Sequence, residues 1–228
     1  MNNNIKDPPV ITVDGPSGSG KGTICLQLAK QFGFNLLDSG ALYRLVALAV
    51  ENSNADISNP ALIANIALNL DTHFETQSED VRVFLNKNDV TDAIRTETCG
   101  NQASKVAAIP EVRRALLERQ RNFVTEPGLI ADGRDMGTVV FPSAVVKIFL
   151  TASAEERAER RYKQLKQKGL NVNLAHLSRE IQERDERDKT RSVSPLVPAK
   201  DAIILDTSTM SIEAVVKQVI TLVKTNGV

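Results

Sequence analysis

The residues best placed to do chemistry lie near the start of the chain. Gly15, Pro16, Ser17, Gly18, Ser19, Gly20, Lys21, Gly22 and Thr23 run from the apolar stretch VITVD directly into the helix-like ICLQLAKQF. Strand, glycine loop and helix in that order make a cradle for phosphate. Glycines let the backbone curl so that successive N–H groups point inward, the helix N-terminus adds positive potential, and Lys21 brings a mobile ammonium to the β and γ phosphates. The spacing predicts a nucleoside triphosphate site rather than an idle turn. The residue after the lysine is Gly22, where a Ser or Thr hydroxyl would usually meet Mg2+, and Thr23 follows it.

A second set of groups suits a phosphate-bearing acceptor. Leu37-Asp38-Ser39-Gly40-Ala41-Leu42-Tyr43-Arg44 and Ile130-Ala131-Asp132-Gly133-Arg134-Asp135-Met136-Gly137-Thr138 each follow an apolar run. An arginine just past a strand end can present a two-pronged fork to phosphate, which lysine cannot. Arg184, Asp188 and Arg191 fall at i, i+4 and i+7 and share one face of a charged helix over Ser178 to Arg191. A solvated surface with pairs such as Glu180 to Arg184 and Glu183 to Arg187 is the alternative for that run. Ser153-Ala154-Glu155-Glu156 is a capping box opening a further helix with Arg157, Arg160 and Arg161. Arg157 and Arg161 are one turn apart, whereas Arg160 and Arg161, being adjacent, cannot both face inward.

The elements that must hold these groups follow from the apolar pattern. Val10 to Val13, Asn35 to Leu37, Leu129 to Ala131, Val145 to Leu150 and Ala202 to Leu205 are short β-rich runs, mostly separated by helix-like stretches. That pattern predicts an α/β fold with a five-stranded parallel sheet flanked by helices. Four runs lead into Asp14, Asp38, Asp132 and Asp206, at the strand ends where open α/β sheets bind ligands, although capping of a following helix is the ordinary use of such aspartates. Between the second and third runs, THFETQ and VRVFL flank a turn-like Ser78-Glu79-Asp80, and NKND leads into VTDAI. This predicts a small antiparallel β-hairpin unit inserted in the core. Asn86-Lys87-Asn88-Asp89 also matches a guanine-reading pattern, but no DxxG lies between it and the glycine loop, and a hairpin turn needs such residues anyway. Ser211 to Lys224 has the spacing of an amphipathic helix.

Composition bounds the function. Lys plus Arg and Asp plus Glu are each 28, so no overall field draws the 228-residue chain to nucleic acid or an anionic membrane. Anion binding must be local, and twelve of the fifteen arginines lie between Arg113 and Arg191. Cys25 and Cys99 are far apart, which indicates neither a disulfide framework nor a zinc site, and no metal-ligand cluster is expected. MNNNIKDPP lacks a leader's basic and apolar regions, and no apolar run could cross a bilayer. The expectation is a cytoplasmic monomer, with His73 and His176 as ordinary surface residues.

GKGT resembles the loop of adenylate kinase and its relatives more than that of GTPases. Together with LLDSG, IADGRDMGTVVFP, Arg184-Asp185-Glu186-Arg187-Asp188 and SPLVPA, it makes the chain, from about Pro9 to the C-terminal helix, similar to the bacterial cytidylate kinases, a P-loop nucleoside monophosphate kinase family. The resemblance implies transfer of the γ-phosphoryl group of ATP, with Mg2+, to CMP or dCMP. It implies a P-loop kinase core (9–38, 106–152 and 170–228), a monophosphate-binding region with the hairpin insert (about 39–105) and a short lid (about 153–169). It implies that Arg44 and Arg134 hold the acceptor phosphate, that Asp135 with Arg113, Ser39 and Ser104 reads cytosine, that Arg184 and Asp188 face the pentose, and that Arg191 reaches the phosphates in flight. Asp132 joins the acceptor side, and Arg157 or Arg161 closes on the triphosphate. Phosphorylation of UMP or another small acceptor, or a nucleotide-binding switch, are the competing readings.

Overall fold

The computed structural model describes residues 7–76, 81–167 and 169–226, so the Ser78-Glu79-Asp80 turn and most of MNNNIKDPP lie outside the described residues. The chain divides into two compact units. One comprises Met1–Asp38 and Arg121–Val228, the other Ser39–Gln120.

The first unit is built on a five-stranded parallel sheet. Its strands are β1 (Val10–Asp14), β2 (Asn35–Asp38), β6 (Leu129–Gly133), β7 (Val146–Thr151) and β8 (Ile203–Asp206), in the order β2-β6-β1-β7-β8. The predicted runs are all present, and four of these strands take in the aspartates at their ends. Register places Asp14 beside Gly133 and Asp38 beside Asp132. β1 is central, with Ile11, Thr12 and Val13 fully buried, because a strand covered on both faces has no solvent side. Alternation sends Ile11 and Val13 into a core with Ile24, Cys25 and Leu28 of α1 (Lys21–Phe32) and Val215, Val219 and Val223 of α8 (Ile212–Thr225). Fully burying each Ile or Leu there is worth about 1.5–3 kcal/mol. Thr12 and Asp14 take the opposite face, where a π-helical turn, Met136–Val140, packs on β1.

α6 (Ala154–Gln167) starts where the capping box predicts, with the Glu156 N–H bonded to Ser153 Oγ at 3.1 Å. α7 spans Leu174–Thr190, opening four residues before Ser178 because Asn173 caps it through the His176 N–H. α8 is capped by Ser211.

The second unit holds α2 (Ser39–Asn52), α3 (Pro60–Leu68), a three-stranded antiparallel sheet of β3 (Thr72–Thr76), β4 (Val81–Leu85) and β5 (Asn88–Asp89), a 3-10 turn at Ala93–Arg95, α4 (Glu97–Val106) and α5 (Pro110–Arg121, whose last residue falls in the first unit). The inserted sheet matches the hairpin unit expected from the sequence. NKND is its second turn: Asn86 and Lys87 both take positive φ, as a two-residue hairpin loop requires, and Asp89 is held by Arg82 at 2.7 Å.

Candidate active site

In the first unit the glycine loop leaves β1 at Gly15, where φ is +148° and a Cβ would stand 2.1 Å from the Leu150 carbonyl oxygen. Only glycine fits there. Lys21, the first residue of α1, is buried and donates from Nζ to the Pro16 carbonyl at 2.7 Å and weakly to Ser19 Oγ at 3.4 Å. Its ammonium is thus folded back over the loop. Burial, then the positive charge of Arg134, pushes its pKa below the usual lysine range, while Asp132 opposes this. Asp132 is itself pushed well above the usual carboxylate range by burial, against the pull of Lys21. A Cβ on Gly22 would lie 3.6 Å from Asp132 Oδ2, so this carboxylate borders the loop.

The helix face expected at Arg184, Asp188 and Arg191 does not lie against solvent. Arg184 Nη1 reaches Ser17 Oγ at 3.2 Å, and Asp188 is buried and accepts Arg134 Nε at 3.1 Å. Burial works against the Asp188 charge, yet Arg134, Arg184 and Arg191 together hold its carboxyl below the usual range. Arg191 sits at the C-terminal end of α7, its side chain buried, bonded to the Ser194 carbonyl and facing Asp135 Oδ1 at 4.0 Å. The structure therefore brings Ser17, Lys21, Asp132, Arg134, Asp135, Arg184, Asp188 and Arg191 into one charged cluster. Three guanidiniums around the phosphate loop can bind and neutralise phosphoryl oxygens.

The two arginines of α6 expected in a lid part company. Arg157 is buried, paired with Asp185 (Nη1 to Oδ1 3.1 Å, and Nη2 to Oδ2), and it also donates to the carbonyls of Ser17 at 2.9 Å and Ala152 at 3.0 Å. It supports the loop from beneath. Arg161 is partly exposed and donates to Gln164 Oε1 at 3.3 Å, while Arg160 is tied to Glu156 and the Thr207 carbonyl.

The second unit carries the remaining predicted residues. Ser39 opens α2 and donates from Oγ to Gln120 Oε1 at 2.7 Å; Ser104 on α4 is buried. Arg113, 8% exposed, bonds the Ala107 carbonyl at 3.1 Å and lies over the Tyr43 ring at 5.4 Å. Arg44 Nη1 bonds the Ile94 and Thr96 carbonyls.

Sequence reasoning missed Gln120, Tyr43, Asp185 and the use made of Asp14. Gln120 is detectable as the seventh residue after Arg113 on the inward face of α5, and Asp185 as a fourth-residue neighbour of buried Ile181. Two of the strand-end aspartates do not cap the helix that follows their strand: α1 opens at Gly20 without a side-chain cap, and Asp206 closes a turn on Ser208.

A family model described as Cytidylate kinase matches residues 11–225. The chain is 56% identical to the cytidylate kinase of Aliivibrio salmonicida, over 95% of this chain and 96% of that one. It is 58% identical to that of Photobacterium profundum, over 92% of each, and 58% identical to that of Shewanella frigidimarina, over 93% of each. A solved shikimate kinase from Bacteroides thetaiotaomicron aligns over 95% of this chain and 98% of its own, at 14% identity and a TM-score of 0.45.

Proposed function

The chain belongs to the cytidylate kinase family, and we propose on that premise that it transfers the γ-phosphoryl group of ATP in line to the phosphate of CMP or dCMP. The products are ADP and CDP or dCDP. The observation that carries the reading is the charged, partly buried cluster that joins Lys21 and the glycine loop to Arg134, Arg184 and Arg191.

The acceptor oxygen is already anionic, so no strong base is needed; catalysis consists of aligning two polyanions and neutralising the charge spread over the group in transfer. Lys21 turns from the Pro16 carbonyl to the β and γ phosphates. Arg191 and Arg134 stabilise the transferring group; Arg134 is also assigned to the acceptor phosphate, as is Arg44 of the second unit by its match to the family's motif. Arg184 and Asp188 take the pentose. By their match to the family's motifs, Asp135 is assigned to the cytosine amino group, and Ser39, Ser104 and Arg113 of the second unit are also assigned to reading the base. Arg161 is the lid residue assigned to ATP, and Arg157 supports the loop through the Ser17 carbonyl. Closure of 153–169 excludes water and suppresses wasteful hydrolysis.

Mg2+ would supply charge neutralisation at the β and γ phosphates. Gly22 offers it no hydroxyl, and among the described residues no three His, Cys, Asp or Glu side chains form a cage. A Mg2+ bound chiefly through the nucleotide's phosphates would fit such a site, and Asp132, which borders the loop, is the carboxylate that would help to hold it there. Among the described residues no helix is long and apolar enough to cross a membrane. With balanced charge and no cysteine framework, we place the enzyme in the cytosol as a monomer acting on free nucleotides.

ADP release measured with CMP, dCMP, UMP, AMP and GMP in turn tests the reading. Turnover with CMP and dCMP is expected. Turnover confined to another acceptor moves the substrate, and tight ATP binding with no acceptor-dependent turnover makes the protein a switch.

A further inference from the structure

Asp14 has no place among the groups assigned to substrate, yet its carboxylate is committed on both oxygens. It is the last residue of β1, 4% exposed, and Gly15 at the root of the phosphate loop follows at once. Oδ1 accepts the Met136 N–H at 2.9 Å and Oδ2 the Gly137 N–H at 2.8 Å. Those two amides open the π-helical turn directly after Arg134 and Asp135. An ionised carboxylate receiving two successive backbone amides forms a strong, directional fork, and single π turns concentrate at functional sites. The turn rests hard against the strand: a Cβ on Gly137 would come within 2.9 Å of Thr12 Oγ1 and 3.2 Å of Lys147 Cδ.

We propose that Asp14 is a positioning residue for phosphoryl transfer: its carboxylate clamps the turn carrying Arg134 and Asp135 to the strand that carries the phosphate loop, fixing those two side chains relative to Lys21. The inference rests on the kinase reading above. From this turn Arg134 reaches Asp188 and Asp135 faces Arg191, so a shift of its backbone moves both contacts together. A misplacement of about 1 Å in such a site costs about 100-fold in rate. Burial raises the Asp14 carboxyl from 3.8 to about 6, against the two amide bonds and Lys21, with Asp135 adding to the rise. The charged or titratable groups facing it are Asp135 of the turn, Lys21 and Cys25 of α1 and Asp132 of β6. Protonation removes acceptor strength from one oxygen, so the clamp loosens as pH falls through about 6.

Asp14→Asn keeps the shape but sets an amide NH2 against one of the two backbone N–H groups. The expected result is a kcat on CMP lower by about 100-fold, a KM for ATP within about threefold of wild type, and a melting temperature within a few degrees, since a buried charge leaves with the bond. Wild type should also show a loss of kcat below about pH 6 beyond that of the substrate phosphate's own ionisation, and the variant should lack it. A kcat within about threefold of wild type overturns the proposal. So does a loss that is matched by a large fall in melting temperature and by weaker binding of both nucleotides, which marks a merely structural residue. If the variant does not fold, wild type decides alone: the Met136 and Gly137 amide resonances should titrate together with one midpoint near pH 6, and invariant shifts overturn the clamp. Wild-type turnover with CMP, measured alongside, separates failure of this inference from failure of the kinase reading.

Discussion

The Arg157–Asp185 pair offers the sharpest quantitative check on how the phosphate loop is held. The two side chains are 4% and 11% exposed, and Arg157 also bonds the Ser17 and Ala152 carbonyls. In Asp185→Asn the guanidinium stays buried with its counter-charge gone, a change that costs roughly 3–5 kcal/mol. The two carbonyl bonds and the new amide oxygen compensate in part, which puts the expectation at the lower end, about 3 kcal/mol. For a chain of 228 residues, each kcal/mol moves the midpoint by about 2–4 °C, so calorimetry should show a fall of roughly 6–12 °C. A Cβ on Gly18 would meet Arg157 Cβ at 3.2 Å, so loosening Arg157 also frees the loop apex, and the KM for ATP should rise several-fold while that for CMP changes less. The double variant Arg157→Met, Asp185→Leu should recover most of the midpoint, because an apolar pair carries no desolvation penalty, but not the ATP affinity. If Arg157 is itself an ATP ligand, freeing it from Asp185 will leave ATP binding unchanged or tighter. That outcome, or a midpoint within about 2 °C of wild type, would refute the reasoning.

Lys21→Met should cut turnover by at least about 10³-fold and leave the melting temperature level or higher, because a buried ammonium held below its usual pKa costs the folded state stability; steady-state kinetics and calorimetry read the two effects. Binding of ATP brings negative charge beside Lys21 and raises its lowered pKa, so near pH 8 complex formation should take up protons. Titration calorimetry in two buffers of different ionisation enthalpy measures that uptake, which should shrink in Lys21→Met; a buffer-independent heat contradicts it. Asp135→Asn should narrow the preference for CMP over UMP by about 10- to 100-fold in kcat/KM, since an amide can donate to uracil where the carboxylate could only accept from cytosine. An unchanged ratio removes Asp135 from base reading.

Five strands and the glycine loop were legible because each depends on local pattern: a β-rich run for a doubly covered strand, and glycine wherever the backbone must touch phosphate or, at Gly15, the Leu150 carbonyl. The inserted sheet was legible for the same reason, since Asn86 and Lys87 can take the positive φ of a tight hairpin turn. Charge was harder to place. Helical spacing put Arg184, Asp188 and Arg191 on one face but could not say whether that face met water. What decides it is Arg134, 54 residues before Asp188 in the chain, arriving from β6 to pair with it. Arg157 has a partner that local spacing does not show. Its position one turn from Arg161 marked both as lid residues, and Asp185, 28 residues on, pairs with Arg157 beside the loop. Asp14 was visible as a strand-end carboxylate, and helix capping was its ordinary reading. Its partners are backbone amides 122 and 123 residues away, and backbone amides have no signature in sequence at all. Pairings fixed by tertiary contact tie the site together, so the residues that sequence names most readily are those with a local motif, and the ones it misses are those whose partners lie far away in the chain.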